Sequence, residues 1–201
     1  MRDLILIDGL KPSGTHKKKR QIILTHSSRN IKDYLVSLRT RYNGEYKKLP
    51  HYVIGRDGET FQLIQPHTYS EYFPVKSYNK NAIVICLENL GWLRKHPLSG
   101  GYVNWIGDSY KGSIFEKKWR GHHFWHPYTD EQIESLVETI NYLCDEFDIP
   151  KISLGHNVKI DKAENFNGIV CNSNFDSDNT DLNPAFNFDI FIKKIDYEQS
   201  I

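Results

Sequence analysis

The sequence predicts a single α/β domain with a central mixed β-sheet flanked by helices, and three observations carry that expectation. Two short, almost wholly apolar runs, Gln21–His26 and Ala82–Leu87, read as strands covered on both faces. A segment after Pro127 repeats its apolar residues at helical spacing. Strand-like and helical segments also alternate along the chain, and 201 residues suffice for one domain with a sizeable core but are short for two.

Taken in order, residues 1–19 read as an N-terminal extension ahead of a domain spanning 20–195. Residues 1–10 are a short apolar stretch interrupted by Asp3 and Asp8, with the Lys-Lys-Lys-Arg run of residues 17–20 behind it. That order is wrong for a secretory signal, so synthesis in a cytoplasm is expected. The basic run is expected on a solvated surface. Gln21–His26 follows as a strand with a polar tip. Asn30 can cap a helix reaching about Tyr42, with Asp33 in its first turn and Gly44 just past its end.

Residues 51–55 and 59–64 look like two strands joined at Arg56-Asp57-Gly58. After Pro127, Thr129 and Gln132 suggest a capping box. Ile133, Leu136, Val137, Ile140, Leu143, Cys144 and Phe147 then form one helical stripe that stops near Pro150. Residues 152–154 make a short strand that delivers Gly155-His156. A last helix starts between Pro184 and Asn187. Residues 90–127 and 157–183 read as long irregular loops of functional type.

Composition narrows the function. Aromatic residues make up 13% and hydrophobic ones 39%, which excludes a disordered chain. A net charge of +1 gives no general grip on nucleic acid or acidic lipid. No run approaches the roughly 18 apolar residues of a membrane-spanning helix, so no membrane insertion is expected. Cys86, Cys144 and Cys171 form neither a disulfide framework nor a thiol zinc knuckle.

His26 and His156 each end a predicted core strand, where a rigid scaffold can aim an imidazole into a cleft. A catalytic zinc site needs three protein ligands and an open position. The surrounding words occur in a telling order: Ile-Leu-Thr-His-Ser-Ser (23–28), His-Tyr-Val-Ile-Gly-Arg-Asp-Gly-Glu (51–59), Asn-Lys-Asn-Ala-Ile-Val-Ile-Cys-Leu (79–87), Tyr-Thr-Asp-Glu-Gln (128–132), Gly-His-Asn (155–157) and Thr-Asp-Leu-Asn-Pro-Ala-Phe (180–186). Over about residues 20–192 this succession resembles the type-2 N-acetylmuramoyl-L-alanine amidases, whose fold is shared by peptidoglycan recognition proteins and several phage endolysins.

The resemblance implies that fold and a zinc ion held by His26, His156 and Asp181. It implies peptidoglycan as partner and hydrolysis of the amide between N-acetylmuramic acid and L-alanine. The products are a lactyl carboxylate and a free L-alanine amine. The family's proton-handling Glu reads Cys86 here, its Tyr reads Pro50, its Lys reads Asn179, and its Trp-His pair reads Tyr72-Phe73. Glu88 and His51 are the nearest catalytic substitutes, with a strand-end surface carboxylate and a structural hydrogen bond as their respective alternatives. The third ligand stands 25 residues beyond His156, farther than the family's habit, and Asp161 and Cys171 are rivals for it. Trp92, Tyr102, Trp105, Trp119, Phe124 and Trp125, with His122, His123 and His126, read as a lid or cleft wall, or else as a packed loop core.

Three functions stay open: a phage-lysis or wall-remodelling hydrolase, a non-catalytic peptidoglycan-binding module, and a cytoplasmic amidase recycling muropeptides. For the first, access to the wall through a holin, lysis or a virion is expected.

Overall fold

The structure is a computed structural model that describes residues 4–7, 9–10 and 18–197. In chain order its elements are β1 (Leu4–Leu6), β2 (Gln21–His26), α1 (Ile31–Thr40), β3 (Tyr52–Ile54), β4 (Thr60–Gln62), α2 (Lys76–Asn79), β5 (Ala82–Leu87), β6 (Trp92–Lys95), β7 (Tyr102–Val103), β8 (Ser109–Tyr110), β9 (Phe115–Trp119), β10 (His122–Trp125), α3 (Asp130–Phe147), β11 (Gly168–Cys171) and α4 (Phe188–Tyr197).

Six strands form the main sheet in the order β1-β4-β3-β5-β2-β11. Only β3 and β4 pair antiparallel, as the hairpin at residues 55–58 requires; the other four pairings are parallel. Parallel central strands must be covered on both faces, and β2 and β5 are buried along their whole length. Ile22, Leu24, Ile83, Ile85 and Leu87 turn to one face and meet α3 and α4 through Leu136, Ile140, Leu143, Phe191 and Ile195. Val84, Ile23 and Cys86 turn to the other face, where Tyr34 and Leu38 of α1 cover the Cys86 side.

Local chemistry explains the helix ends. Asn30 accepts the Asp33 N–H (2.9 Å) at the start of α1. Thr129 accepts the Gln132 N–H (3.2 Å) at the start of α3, but the reciprocal half of the expected capping box is absent. The Gln132 amide instead donates to the carbonyls of Ile54 and Glu88, each at 3.0 Å, and so ties α3 to two strand ends. A left-handed Asp148 stops α3, and Ile149 N–H closes it on Cys144 O.

Four expectations need correction. The stretch 90–127 is a second sheet, five short antiparallel strands in the order β8-β7-β6-β10-β9. Two- to five-residue strands that share no uniform alternation carry too weak a period to be read from sequence. The stretch 157–183 contains β11, parallel to β2; Gly168 opens it at φ +137, and a Cβ there would meet Ile152 O at 2.5 Å. Residues 152–154 provide only a single bridge, Ser153 to Ile169. Finally, Leu4–Leu6, placed by sequence in an extension, adds an edge strand beside β4.

The basic run differs as well. Lys17 lies outside the described residues, as do residues 1–3, Asp8, residues 11–16 and 198–201. Lys19 is buried at 2% exposure, with Nζ donating to Ala82 O (2.7 Å) and Thr68 O (2.8 Å). Burial pushes its ammonium down to about 7. Among the described residues no helix is long and apolar enough to cross a membrane.

Candidate active site

The parallel strands set the site. Register aligns Thr25 of β2 with Cys86 of β5, and His26 with Leu87, so both strands release their C-terminal residues at one edge of the sheet. His26 is the last residue of β2, and its side chain is 1% exposed. Its Nε2 lies 3.0 Å from Asp181 Oδ1. The Tyr128 hydroxyl stands 3.4 Å from the other ring nitrogen, Nδ1.

Asp181 reaches this position through several contacts. Thr25 donates its hydroxyl to Oδ2 in a very short hydrogen bond. Asn172, just past β11, donates to the same oxygen at 3.2 Å, and the Asp181 N–H is held by Asn179 Oδ1 at 2.8 Å. Burial opposes the carboxylate's charge, but the neighbouring His26 imidazole, then the hydrogen bonds from His26, Thr25 and Asn172, outweigh it and hold the carboxyl below its ordinary value.

The loop carrying Asp181 is pinned from the second sheet. Arg120, in the turn between β9 and β10, donates from Nη1 to Asp176 O (2.9 Å) and Asn179 O, and from Nη2 to Ser173 O (3.1 Å). Its guanidinium also stacks on Trp119, 4.5 Å from the ring centre.

His156 does not join the pair as placed. Its Nε2 lies 3.1 Å from Leu182 O, the residue after Asp181, and its ring stacks on Phe188. Burial pushes it down to about 4, with the Leu182 carbonyl working the other way, so the imidazole is neutral at pH 7. Among the described residues no group of three His, Cys, Asp or Glu side chains gathers into a metal cluster.

Two features of the site suit a metal nonetheless. The donor types, two imidazoles and a carboxylate, are those that zinc takes. Gly91 faces His26, and a Cβ there would lie 3.1 Å from Nε2, so the missing side chain leaves room beside that nitrogen.

Both proposed catalytic substitutes are structural and must be reassigned. The strand ends at Leu87, so Glu88 does not follow Cys86 on one face; its Oε1 accepts the Ile31 N–H and its Oε2 the Arg56 N–H, each at 3.0 Å. That carboxylate caps α1 and the hairpin turn. His51 is fully buried; Nδ1 accepts the Val84 N–H and Nε2 meets Thr68 O, each at 2.9 Å. Neither ring nitrogen is left for proton transfer.

The rivals for the third ligand also fall into place. Asp161 is exposed in a turn, whereas Cys171 is buried at the end of β11 with burial pushing its thiol up to about 12. Cys86 is likewise buried, its thiol pushed up to about 12 by burial. Of the aromatic segment, His122 stacks on Trp92, and His126 Nδ1 accepts the Leu90 N–H (3.1 Å), so neither is presented as a ligand. A cavity of about 640 Å³ beside His156 is lined by Phe115 and Lys117 of β9 with Phe186 and Phe188, and by none of the aromatic residues singled out from the sequence.

Sequence reasoning passed over Asn172 and Arg120, which stand in no recognisable word. It also passed over Thr25 and Tyr128, although both lie inside words already singled out beside His26 and the helix start.

Comparison with solved structures finds the same fold in the N-acetylmuramoyl-L-alanine amidase LysC from Clostridium intestinale URNW, at 13% identity and TM-score 0.58, covering 98% of this chain and 99% of that one. A mutant endolysin from Bacillus subtilis is similar at 14% identity and TM-score 0.56, covering 97% and 99%. So is the amidase AmiD from E. coli, in complex with the substrate anhydro-N-acetylmuramic acid-L-Ala-D-gamma-Glu-L-Lys, at 13% identity and TM-score 0.53, covering 92% of this chain and 60% of that one. No curated protein matches the sequence. The family pattern of N-acetylmuramoyl-L-alanine amidases matches residues 14–169, a span that includes His26 and His156. The chain belongs to the N-acetylmuramoyl-L-alanine amidase family.

Proposed function

We propose that this protein hydrolyses the amide bond between N-acetylmuramic acid and L-alanine in peptidoglycan, using a zinc ion held by His26, His156 and Asp181. The observation that carries the reading is the pairing of His26 Nε2 with Asp181 Oδ1 at the C-terminal edge of the parallel strands, in a chain of this family. When bound, zinc supplies Lewis-acid polarisation of the amide carbonyl and a water whose pKa is lowered towards 7. The chain's own residues prepare the site. Thr25 and Asn172 aim the Asp181 carboxylate, and the Tyr128 hydroxyl at Nδ1 leaves Nε2 facing inward. His156, whose Nε2 lies 3.1 Å from Leu182 O, would have to leave that contact to become the third ligand.

The lytic setting belongs to the same proposal: delivery from the cytoplasm by a holin, by lysis or in a virion. A second reading, a non-catalytic peptidoglycan-binding module, is favoured by one observation. Glu88 and His51 are both consumed by structure, which leaves no carboxylate or imidazole identified for proton transfer.

Metal analysis of the purified chain and digestion of sacculi test the proposal together. One zinc per chain and release of free L-alanine amines are expected. Asp181→Ala should lose the zinc, while Asp161→Ala and Cys171→Ala keep it. Activity that survives verified metal removal would overturn the zinc assignment. Zinc binding without amine release would favour the binding module.

A further inference from the structure

Two asparagines far apart in sequence, Asn89 and Asn183, are both buried at 0% exposure and bonded to each other. Asn89 lies just past β5, and Asn183 stands two residues beyond Asp181. Asn183 Nδ2 donates to Asn89 Oδ1 at 2.9 Å and to His126 O at 3.2 Å. Its own Oδ1 accepts the Ala185 N–H at 2.9 Å, which fixes the end of the amide that faces Asn89.

The Asn89 amide is fully used. Its Oδ1 also accepts the Gly91 N–H at 2.8 Å, and its Nδ2 donates to His126 O at 2.9 Å and to Pro127 O at 3.5 Å. Its backbone N–H donates to Ser27 Oγ at 3.3 Å.

Four segments that carry the site therefore converge on one amide pair. Ser27 is the residue after His26, and Gly91 faces His26 Nε2. His126 and Pro127 lead to Tyr128, whose hydroxyl meets His26 Nδ1. Asn183 fixes the chain on the C-terminal side of Asp181, whereas Thr25, Asn172 and Asn179 hold it from the other side. Gly91 and His126 are also the neck of the second sheet, closed by the His126 N–H on Gly91 O at 3.0 Å. A buried polar group that loses its partner is costly, so a closed set of amide bonds admits one arrangement of these segments. Being neutral, the pair ties them together without placing another charge beside the ligands.

We propose that Asn89 and Asn183 are positioning residues, an amide joint that sets Asp181 opposite His26 and so fixes the spacing of two zinc ligands. This rests on the zinc reading above, and it makes the neck of the second sheet part of the support for the metal site.

Either end of the joint can be cut in the full chain. Asn183→Ser keeps an acceptor for the Ala185 N–H, and Asn89→Ser keeps one for the Gly91 N–H, but each loses the bridge; if one variant fails to fold, the other carries the test. Ile140→Val serves as a control that lowers stability through the α3 core alone. In the metal-free protein, the His26 Nε2 proton held by Asp181 should give a downfield ring resonance by NMR, assigned by its loss in Asp181→Ala. That resonance should disappear into solvent exchange in the two Ser variants and persist in Ile140→Val. Cobalt(II) affinity, read from visible absorption, should fall about tenfold or more in the Ser variants and stay unchanged in the control. A wild-type resonance and wild-type cobalt affinity in a folded Ser variant would overturn the proposal, as would an equal loss of both in Ile140→Val. If the unaltered chain takes up no cobalt, the zinc reading fails and the ring resonance alone decides the joint.

Discussion

Removing the Arg120 guanidinium tests whether the second sheet holds the Asp181 loop. Arg120→Ala deletes three hydrogen bonds to the carbonyls of Ser173, Asp176 and Asn179 and the stacking on Trp119. These bonds are charge-assisted but sit at a half-buried side chain, so about 1 kcal/mol each is a fair net value, or roughly 2–3 kcal/mol in all. The loss falls on one segment rather than on the core, since no buried apolar side chain is removed. A local destabilisation of about 2 kcal/mol raises the population of the opened segment about 30-fold. Hydrogen exchange reads this directly. The Asp181 and Ser173 amides should lose protection by that factor, while Leu136 and Ile140 amides in the middle of α3 keep theirs. Zinc affinity should fall in parallel, because Asp181 must be re-ordered on binding. Unaltered exchange at 173–181, or an equal loss of protection in α3, would refute the clamp.

Other outcomes follow from the same geometry. Gly91→Ala places a methyl 3.1 Å from His26 Nε2 at a φ of +77, so zinc affinity measured by chelator competition should drop at least about tenfold, with about 1–2 kcal/mol of backbone strain in addition; wild-type affinity would show that the space is not needed. Glu88→Gln weakens the acceptor of two backbone N–H groups and should cost about 1–2 kcal/mol in denaturant unfolding while folded protein keeps its zinc and its turnover within a few-fold; a large loss of turnover at unchanged stability would return Glu88 to the chemistry. His51 supplies a pH test. Burial, with the Lys19 ammonium next, pushes it down to about 3, against an ordinary 6.5. Between those values the unfolded chain binds the proton and the folded chain does not, so its contribution is complete above pH 6.5 and is lost as the pH falls, at about 1.4 kcal/mol per pH unit. Urea unfolding from pH 7 to 4 should show this slope, and His51→Gln should flatten it; an equally steep slope in the variant would exclude His51 as the source.

What sequence alone determined about this protein is what local physics controls. The apolar runs of β2 and β5, the stripe of α3, and the caps at Asn30 and Thr129 depend on period and on nearest neighbours, and each is found where its residues place it. The words around His26 and Asp181 are short and contiguous, so sequence alone could mark them as candidates. Glu88 and His51 were read as reactive because their types and positions allow it, and sequence holds no record of which backbone amides a side chain will meet. Tertiary packing supplied those amides from Ile31, Arg56 and Val84, residues distant in sequence, and thereby turned two candidate catalysts into supports. The second sheet and β11 were decided the same way. The strands of the second sheet and β11 carry no turn or alternation signal like that of the β3–β4 hairpin, and they exist because a partner strand satisfies their backbone.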